Sequence, residues 1–175
     1  MKKSIRIILT LCLITALVGA LLAFVNLMTK DRIAEQNQKA MDEAISVIFG
    51  ECKTEELSGD YEAPVSKVYA VTNADGFAGH CVLVKPKGYG GAVEMMVGID
   101  LYGAVCGISV VSHGETPNLG TKVVENDDYL AGYLGKTEPV TFGDGVDAVS
   151  GATRSSNAVR DGVNAALALG LGGIE

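Results

Sequence analysis

The sequence predicts an α+β fold: an antiparallel sheet with flanking helices, preceded by one N-terminal transmembrane helix. Three observations carry this expectation. Ile7–Met28 is an uninterrupted apolar run of 22 residues. Four strand-like segments between Lys67 and Ser112 follow one another with only turns and one glycine-rich loop between them. The chain then closes with an amphipathic stretch of helical period from about Ser155 to Leu169.

The apolar run carries no charge, and only Thr10, Thr15 and Asn26 are clearly polar. At 1.5 Å per residue it spans a hydrocarbon core roughly 30 Å thick. Lys2, Lys3 and Arg6 precede it, and no acidic residue occurs before Asp31. The positive-inside rule therefore expects residues 1–6 in the cytoplasm, a membrane span over 7–28 and the remainder outside. A cleavable signal peptide ending near Val18-Gly19-Ala20 is the competing reading. The apolar run continues past Ala20 further than a secretory core needs, which favours an uncleaved anchor. Gly19 and Ala23 have the small-x-x-x-small spacing of helix–helix contacts, a pattern common by chance.

Thr29–Phe49 reads as a helix, with Ile33, Ala40, Met41, Ala44, Ile45 and Ile48 at helical spacing and Gly50 as its stop. Lys53–Ala63 is polar and reads as an irregular linker, so the expected domain covers residues 64–175. Lys67–Asn73 and Phe77–Lys85 are strand-like and meet at Ala74-Asp75-Gly76, a hairpin signal. The loop Lys87-Gly88-Tyr89-Gly90-Gly91 leads to a third strand, Val93–Asp100. Leu101-Tyr102-Gly103 turns the chain into a fourth, Val105–Ser112. A meander of this kind offers no Rossmann nucleotide site. Beyond it, a short helical piece is expected around Asp127–Leu134 and a strand at Pro139–Phe142. In the closing helix Val159, Val163, Ala166 and Leu167 form the buried stripe, and Gly170, Gly172 and Gly173 end it.

Charge and cysteines exclude several functions. The chain has 14 Lys and Arg against 21 Asp and Glu. Setting aside the 3 basic residues before the anchor leaves 11 against 21, about −10. So acidic a surface repels polynucleotides, and no nucleic-acid partner is expected. Cys12, Cys52, Cys81 and Cys106 form no Cys-x-x-Cys pair, so no metal site is expected from this chain. Cys81 and Cys106 fall in strand-like runs, where a buried free thiol is the ordinary outcome.

Two segments hold residues suited to a ligand. Asp147-Ala148-Val149-Ser150-Gly151-Ala152-Thr153 leads into the C-terminal helix. A helix start presents unpaired N–H groups and the positive end of its dipole, which together suit a phosphate. Gly151 permits close backbone approach, Ala152 adds no bulk, and Arg154, Ser155 and Ser156 offer donors, with Ser155 or Ser156 as cap. Most such starts bind nothing. The second segment is the loop His113–Gly120. There Glu115 or Thr116 has the chemistry to hydrogen-bond a ring or polyol, and Leu119 to pack on a ring face. Its bland reading is a tight connection stiffened by Pro117. Taken alone, Tyr89-Gly90-Gly91 is only a tight loop, and His113 reads as a structural donor.

Three blocks occur in one order: Gly88-Tyr89-Gly90-Gly91 leading to Val97-Gly98-Ile99-Asp100, then His113-x-Glu115-Thr116-Pro117-x-Leu119-Gly120, then Asp147-x-x-Ser150-Gly151-Ala152-Thr153. With the N-terminal anchor, they resemble the RnfG family of FMN-binding subunits, which serves two membrane redox complexes. One is the Rnf ion-translocating electron transport complex, and the other is the sodium-translocating NADH:quinone reductase. The resemblance spans essentially the whole chain, and the short length and compact linker place it on the Rnf side. One departure is Asn118, where the family usually carries Gly; Asn tolerates positive φ well enough to keep the loop's shape.

The resemblance implies an FMN-binding domain with FMN joined by a phosphoester to Thr153, installed by a dedicated flavin transferase. Ser150, Gly151, Ala152, Glu115, Thr116, Leu119, Gly120, Gly90 and Gly91 are the implied cofactor-binding positions. No catalytic residue and no metal are implied. The implied role is electron relay among the other membrane subunits of a ferredoxin:NAD oxidoreductase that moves ions, with the FMN domain on the extracytoplasmic side. The corresponding role in the sodium-translocating quinone reductase is the alternative. The anchor has no ionisable residue between Ile7 and Met28, which makes it a poor ion path. A further reading is an anchored module that holds flavin reversibly for sensing. Another, a hydrolase using His113 and Ser150, lacks the nucleophile-elbow pattern.

Overall fold

A computed structural model describes residues 2–74 and 76–172, with side chains placed for residues 6–169 other than 75. Asp75 of the expected hairpin turn, Gly173 of the expected helix end and the side chains of Lys2 and Lys3 lie outside the described residues. The chain divides into two compact units, Met1–Lys39 and Ala40–Glu175.

The first unit belongs to a single helix, α1 (Lys2–Phe49), long and apolar enough to cross a membrane. Leu, Ile, Val and Phe side chains are exposed all along Ile7–Met28, the surface expected of a helix whose solvent is lipid. Its threonines need no water. Thr10 Oγ1 donates to the carbonyls of Arg6 (3.0 Å) and Ile7 (2.9 Å), and Thr15 Oγ1 to those of Leu11 and Cys12 (both 3.0 Å). Beyond the apolar run, Lys39 pairs with Glu35 at 2.7 Å on an exposed face.

In the second unit, five antiparallel strands pair in sequence order: β1 (Lys53–Leu57), β2 (Val65–Asn73), β3 (Gly76–Val84), β4 (Val93–Asp100) and β5 (Val105–His113). The meander and its four expected strands are present, with β4 at the expected bounds. β1 corrects the reading of Lys53–Ala63 as an irregular linker. Its Lys-Thr-Glu-Glu-Leu sequence looks unlike a strand because β1 is an edge paired on one side only, with all but Leu57 exposed.

Both faces of the sheet are covered, so the strands read as near-continuous apolar runs rather than strict alternations. On one face Val68, Val82, Val84, Val93, Met95, Val97 and Ile99 meet three helices: α2 (Thr121–Val124), α3 (Asp127–Ala131) and α4 (Thr153–Gly172). The expected stripe of Val159, Val163, Ala166 and Leu167 is fully buried there. On the other face Tyr69, Val71, Cys81, Leu83 and Met96 meet the last turns of α1 through Ala44 and Ile45. Ordinary strand alternation sends consecutive Met95 and Met96 to opposite faces.

Two glycines set how closely helices approach. A Cβ on Gly162 of α4 would lie 2.3 Å from Met95 Cε and 3.0 Å from Val84 Cγ2, so any larger residue there would have to displace the end of Met95 to keep α4 this near the sheet. On the opposite face a Cβ on Gly98 would lie 2.4 Å from Ile48 Cγ2 and 3.0 Å from Phe49 Cε2. Gly98→Val should therefore lift the last turn of α1 and cost about 1–3 kcal/mol, the usual scale of overpacking. An unchanged melting curve together with unchanged proteolysis near Phe49 would contradict this packing.

The expected strand at Pro139–Phe142 is absent. Val140 is buried, but its backbone pairs with a side chain: its N–H donates to Asn164 Oδ1 (2.7 Å) and its carbonyl accepts from Asn164 Nδ2 (3.0 Å). One amide of α4 thus takes the place of a neighbouring strand. The helical piece after the loop is shorter than expected and is capped by Asn126, whose side chain accepts from Tyr129 N.

All four cysteines are free thiols, and Cys106 is exposed rather than buried. Cys81 pairs with Gly98, and Gly98 with Gly107 beside Cys106, so two strand spacings of about 4.8 Å separate the thiol-bearing strands. That exceeds the reach of a disulfide between Cys81 and Cys106. Burial pushes the Cys81 thiol up to about 12. At pH 8 its thiolate fraction is then on the order of one in ten thousand. Cys81 should resist alkylation in the folded protein and react once unfolded, as read by peptide mass. Rapid labelling in the folded state would contradict its place in the core.

Candidate functional site

The site begins with a helix that starts uncapped. The Ala152 carbonyl accepts from Ser156 N at 2.9 Å, which makes Ala152 the cap residue and Thr153 the first residue of α4. The helix therefore starts two residues earlier than the sequence suggested. Alanine has no side-chain acceptor, so the N–H groups of Thr153, Arg154 and Ser155 have no intrahelical partner and no cap. Gly151, at φ +80°, turns the chain into this position, a conformation few residues other than glycine adopt.

Ser156 and Ser155 have separate roles. Ser156 Oγ accepts from Val149 N (3.0 Å) and donates to the Ala152 carbonyl (3.1 Å), fastening the turn ahead of the helix. It is committed to the backbone and free neither as a cap nor as a ligand donor. Ser155 Oγ is buried with no hydrogen-bond partner among the described residues. A buried hydroxyl left unpaired costs about 1–3 kcal/mol, so Ser155 is a hydrogen-bonding group that the described residues leave unused beside the helix start.

Two loops complete the site. The Glu115 carboxylate, 6% exposed, accepts from Tyr89 N (Oε1, 2.9 Å) and from Gly90 N (Oε2, 3.2 Å). Gly88 and Gly120 make room for it: a Cβ on either would stand within 2.1 Å of a carboxylate oxygen. Glu115 thus binds the glycine-rich loop to the loop that follows β5, and both of its oxygens already accept backbone N–H groups. It acts as a clasp between the two loops, and each of its oxygens keeps a second lone pair for a ligand. Asn118 holds φ +62°, the sole positive φ outside glycine among the described residues, so the loop keeps the shape that glycine would allow. Its N–H donates to Thr121 Oγ1 at 2.9 Å.

Between these parts lies a cavity of about 340 Å³. Tyr89, Leu119 and Gly120 form one side, and residues 151–155 form the other. Thr153 and Arg154 are exposed at its mouth. Tyr89 and Leu119 are 60% and 42% exposed, two apolar surfaces left open among the described residues. The expected positions Leu119, Gly120, Gly151, Ala152 and Thr153 are brought together here. Ser150, Thr116, Gly90 and Gly91 do not line the cavity. Gly90 contributes a backbone N–H to the clasp, and the Thr116 carbonyl accepts from Leu119 N (3.2 Å) to fix the loop. Sequence reasoning passed over Tyr89; the signal was a lone aromatic among Gly88, Gly90 and Gly91.

His113 lies behind the loop. Its Nδ1 accepts from Glu115 N at 3.4 Å and its Nε2 is 3.2 Å from Glu125 Oε1. No hydrogen bond among the described residues joins it to Ser150. The arrangement suits a structural donor and not a nucleophile–base pair. An uncapped helix start, an unpaired buried hydroxyl and two exposed apolar side chains match the two halves of FMN, an anionic phosphate and an apolar ring.

Residues 88–168 match the FMN-binding domain family, and residues 1–48 match the RnfG N-terminal region. The G subunit of the ion-translocating oxidoreductase complex of Shewanella piezotolerans is 31% identical over 151 residues, 78% of this chain and 71% of that protein. Its counterpart in the proton-translocating ferredoxin:NAD(+) oxidoreductase complex of Clostridium ljungdahlii is 28% identical, over 85% of this chain and 82% of its own length. Among solved structures, the crystal structure of Shewanella oneidensis NqrC aligns with a TM-score of 0.47 and 26% identity, over 57% of this chain and 54% of that one. With an FMN-binding domain behind an RnfG-type N-terminal region, this chain belongs to the RnfG family, the G subunits of ion-translocating oxidoreductase complexes.

Proposed function

We propose that this chain is the membrane-anchored flavoprotein subunit of an Rnf-type ferredoxin:NAD oxidoreductase complex and relays electrons through FMN esterified to Thr153. The observation that carries the attachment is the exposed Thr153 side chain at the uncapped start of α4, beside the unpaired Ser155 hydroxyl. FMN, when bound, supplies reversible one- and two-electron chemistry.

The chain's own residues bind and orient. Thr153 Oγ1 would hold the flavin phosphate as a phosphoester, its proton leaving with the group displaced from phosphorus, so that the chain would gain one FMN less one water. The N–H groups of Thr153, Arg154 and Ser155 would hold the remaining phosphate oxygens, with the helix dipole favouring their charge and the Ser155 hydroxyl close behind. Leu119 and Tyr89 would offer apolar surface to the ring, while Gly120 and Gly151 would let the backbone come close. Thr153 is a tether and not a catalyst. Its exposure suits modification by a separate flavin transferase acting on the folded domain.

The anchor over residues 7–28, with basic residues ahead of it and an acidic domain after it, supports an extracytoplasmic position for that domain. The partners are then the other membrane subunits of the complex. Membranes carrying the assembled complex test this role. Thr153→Ala in this subunit should abolish ferredoxin-dependent NAD reduction while leaving assembly intact. A wild-type rate in that variant would remove the chain from the electron path.

A further inference from the structure

We propose that Tyr89 is the aromatic platform on which the flavin ring packs, and that Glu115 acts through it as a positioning residue. This rests on FMN being held at Thr153. Tyr89 is the only bulky side chain of its glycine-rich loop that lines the cavity, and 60% of its surface is exposed. An aromatic residue left so open on a mobile loop would need no explanation; this loop is held at every level. Lys87 and Ala92 pair across its base, and Gly88 N donates to the Gly91 carbonyl at 2.8 Å. Gly114 N donates to the Ala92 carbonyl at 3.3 Å. The Glu115 carboxylate then holds the N–H of Tyr89 itself and that of Gly90.

Tyr102 makes the contrast. It is 88% exposed at a hairpin tip, with its turn formed by Asp100 Oδ1 accepting from Tyr102 N and Ala104 N. That ring lies outside the cavity at Thr153, whereas Tyr89 faces it. A buried carboxylate and space left by Gly88 and Gly120 are used to fix one tyrosine beside one cavity. Its apolar face is thereby presented, preorganised, to a partner the chain does not supply. A conjugated planar ring is the partner that an aromatic face accepts best, by offset stacking.

The test uses the full chain in detergent, produced with its flavin transferase, and three variants: Tyr89→Phe, Tyr89→Leu and Glu115→Gln. A phenol in contact with flavin quenches its emission by photoinduced electron transfer, and phenylalanine and leucine do not. Intact mass first establishes that FMN is attached to each protein. Tyr89→Phe and Tyr89→Leu should then raise flavin emission several-fold. Collisional quenching by iodide should stay low in Tyr89→Phe and rise in Tyr89→Leu. Glu115→Gln keeps Tyr89 but loosens its loop, and should raise iodide access at a temperature where the protein remains folded. Unchanged emission and iodide access in Tyr89→Leu, with FMN attached, would overturn the platform alone. Unchanged iodide access in Glu115→Gln would overturn the positioning role. A parent chain without the added mass would sink the attachment at Thr153 and this proposal with it.

Discussion

Replacing Thr153 by alanine should give a folded protein that carries no covalent flavin. The side chain is exposed at the first position of α4 and makes no core contact, so the substitution should change stability by less than about 0.5 kcal/mol. The loss is chemical: alanine has no hydroxyl to form the phosphoester. Flavin fluorescence that survives denaturation in the parent protein should vanish in the variant, and the intact mass should lose the FMN increment. Thr153→Ser restores a hydroxyl at the same point and should recover part of the attachment. Fluorescence retained by Thr153→Ala would move the tether to another residue.

Glu115→Ala should be the most destabilising single change near the site. It removes two charge-assisted acceptors from the N–H groups of Tyr89 and Gly90, and it leaves a hole between Gly88 and Gly120. Hydrogen bonds to a charged group contribute about 1.5–3 kcal/mol each, and part is recovered when water reaches the freed donors. The expected net cost is about 3 kcal/mol, read as a lowered urea midpoint with an unchanged slope. A cost below about 1 kcal/mol would show that the two loops hold together without the clasp. Because the ester bond is made at Thr153 and not through Glu115, attached FMN should persist in Glu115→Ala at low temperature.

Much of this fold was legible because its signals are local. Val93–Asp100 shows as a strand from its own residues, and Val159, Val163, Ala166 and Leu167 declare a helix face through spacing alone. What was not legible depends on distant partners. Lys53–Leu57 is a strand because β2 lies beside it, and nothing in its charged sequence says so. Val140 is buried like a strand residue, yet its partner is Asn164, a helix side chain 24 residues on.

The site divides the same way. Gly151, Ala152 and Thr153 are contiguous, and their motif announced them. From its loop alone Glu115 shows only a carboxylate able to hydrogen-bond a ligand. Its bonds to N–H groups 25 and 26 residues earlier, across the sheet meander, are a long-range contact that the loop sequence does not reveal. The same long-range contact promotes Tyr89 from a residue of a tight loop to a wall of the cavity. Ser155 and Ser156 are adjacent and chemically identical, and only the backbone path of residues 149–156 leaves one unpaired and the other spent.

The most direct measurement is the mass of the intact chain, denatured, after production with and without its flavin transferase. With the transferase the mass should rise by one FMN less one water, and fragmentation should place the addition on Thr153. An unmodified mass, with any flavin released on denaturation, would contradict the tether and leave a reversible flavin-binding module in its place.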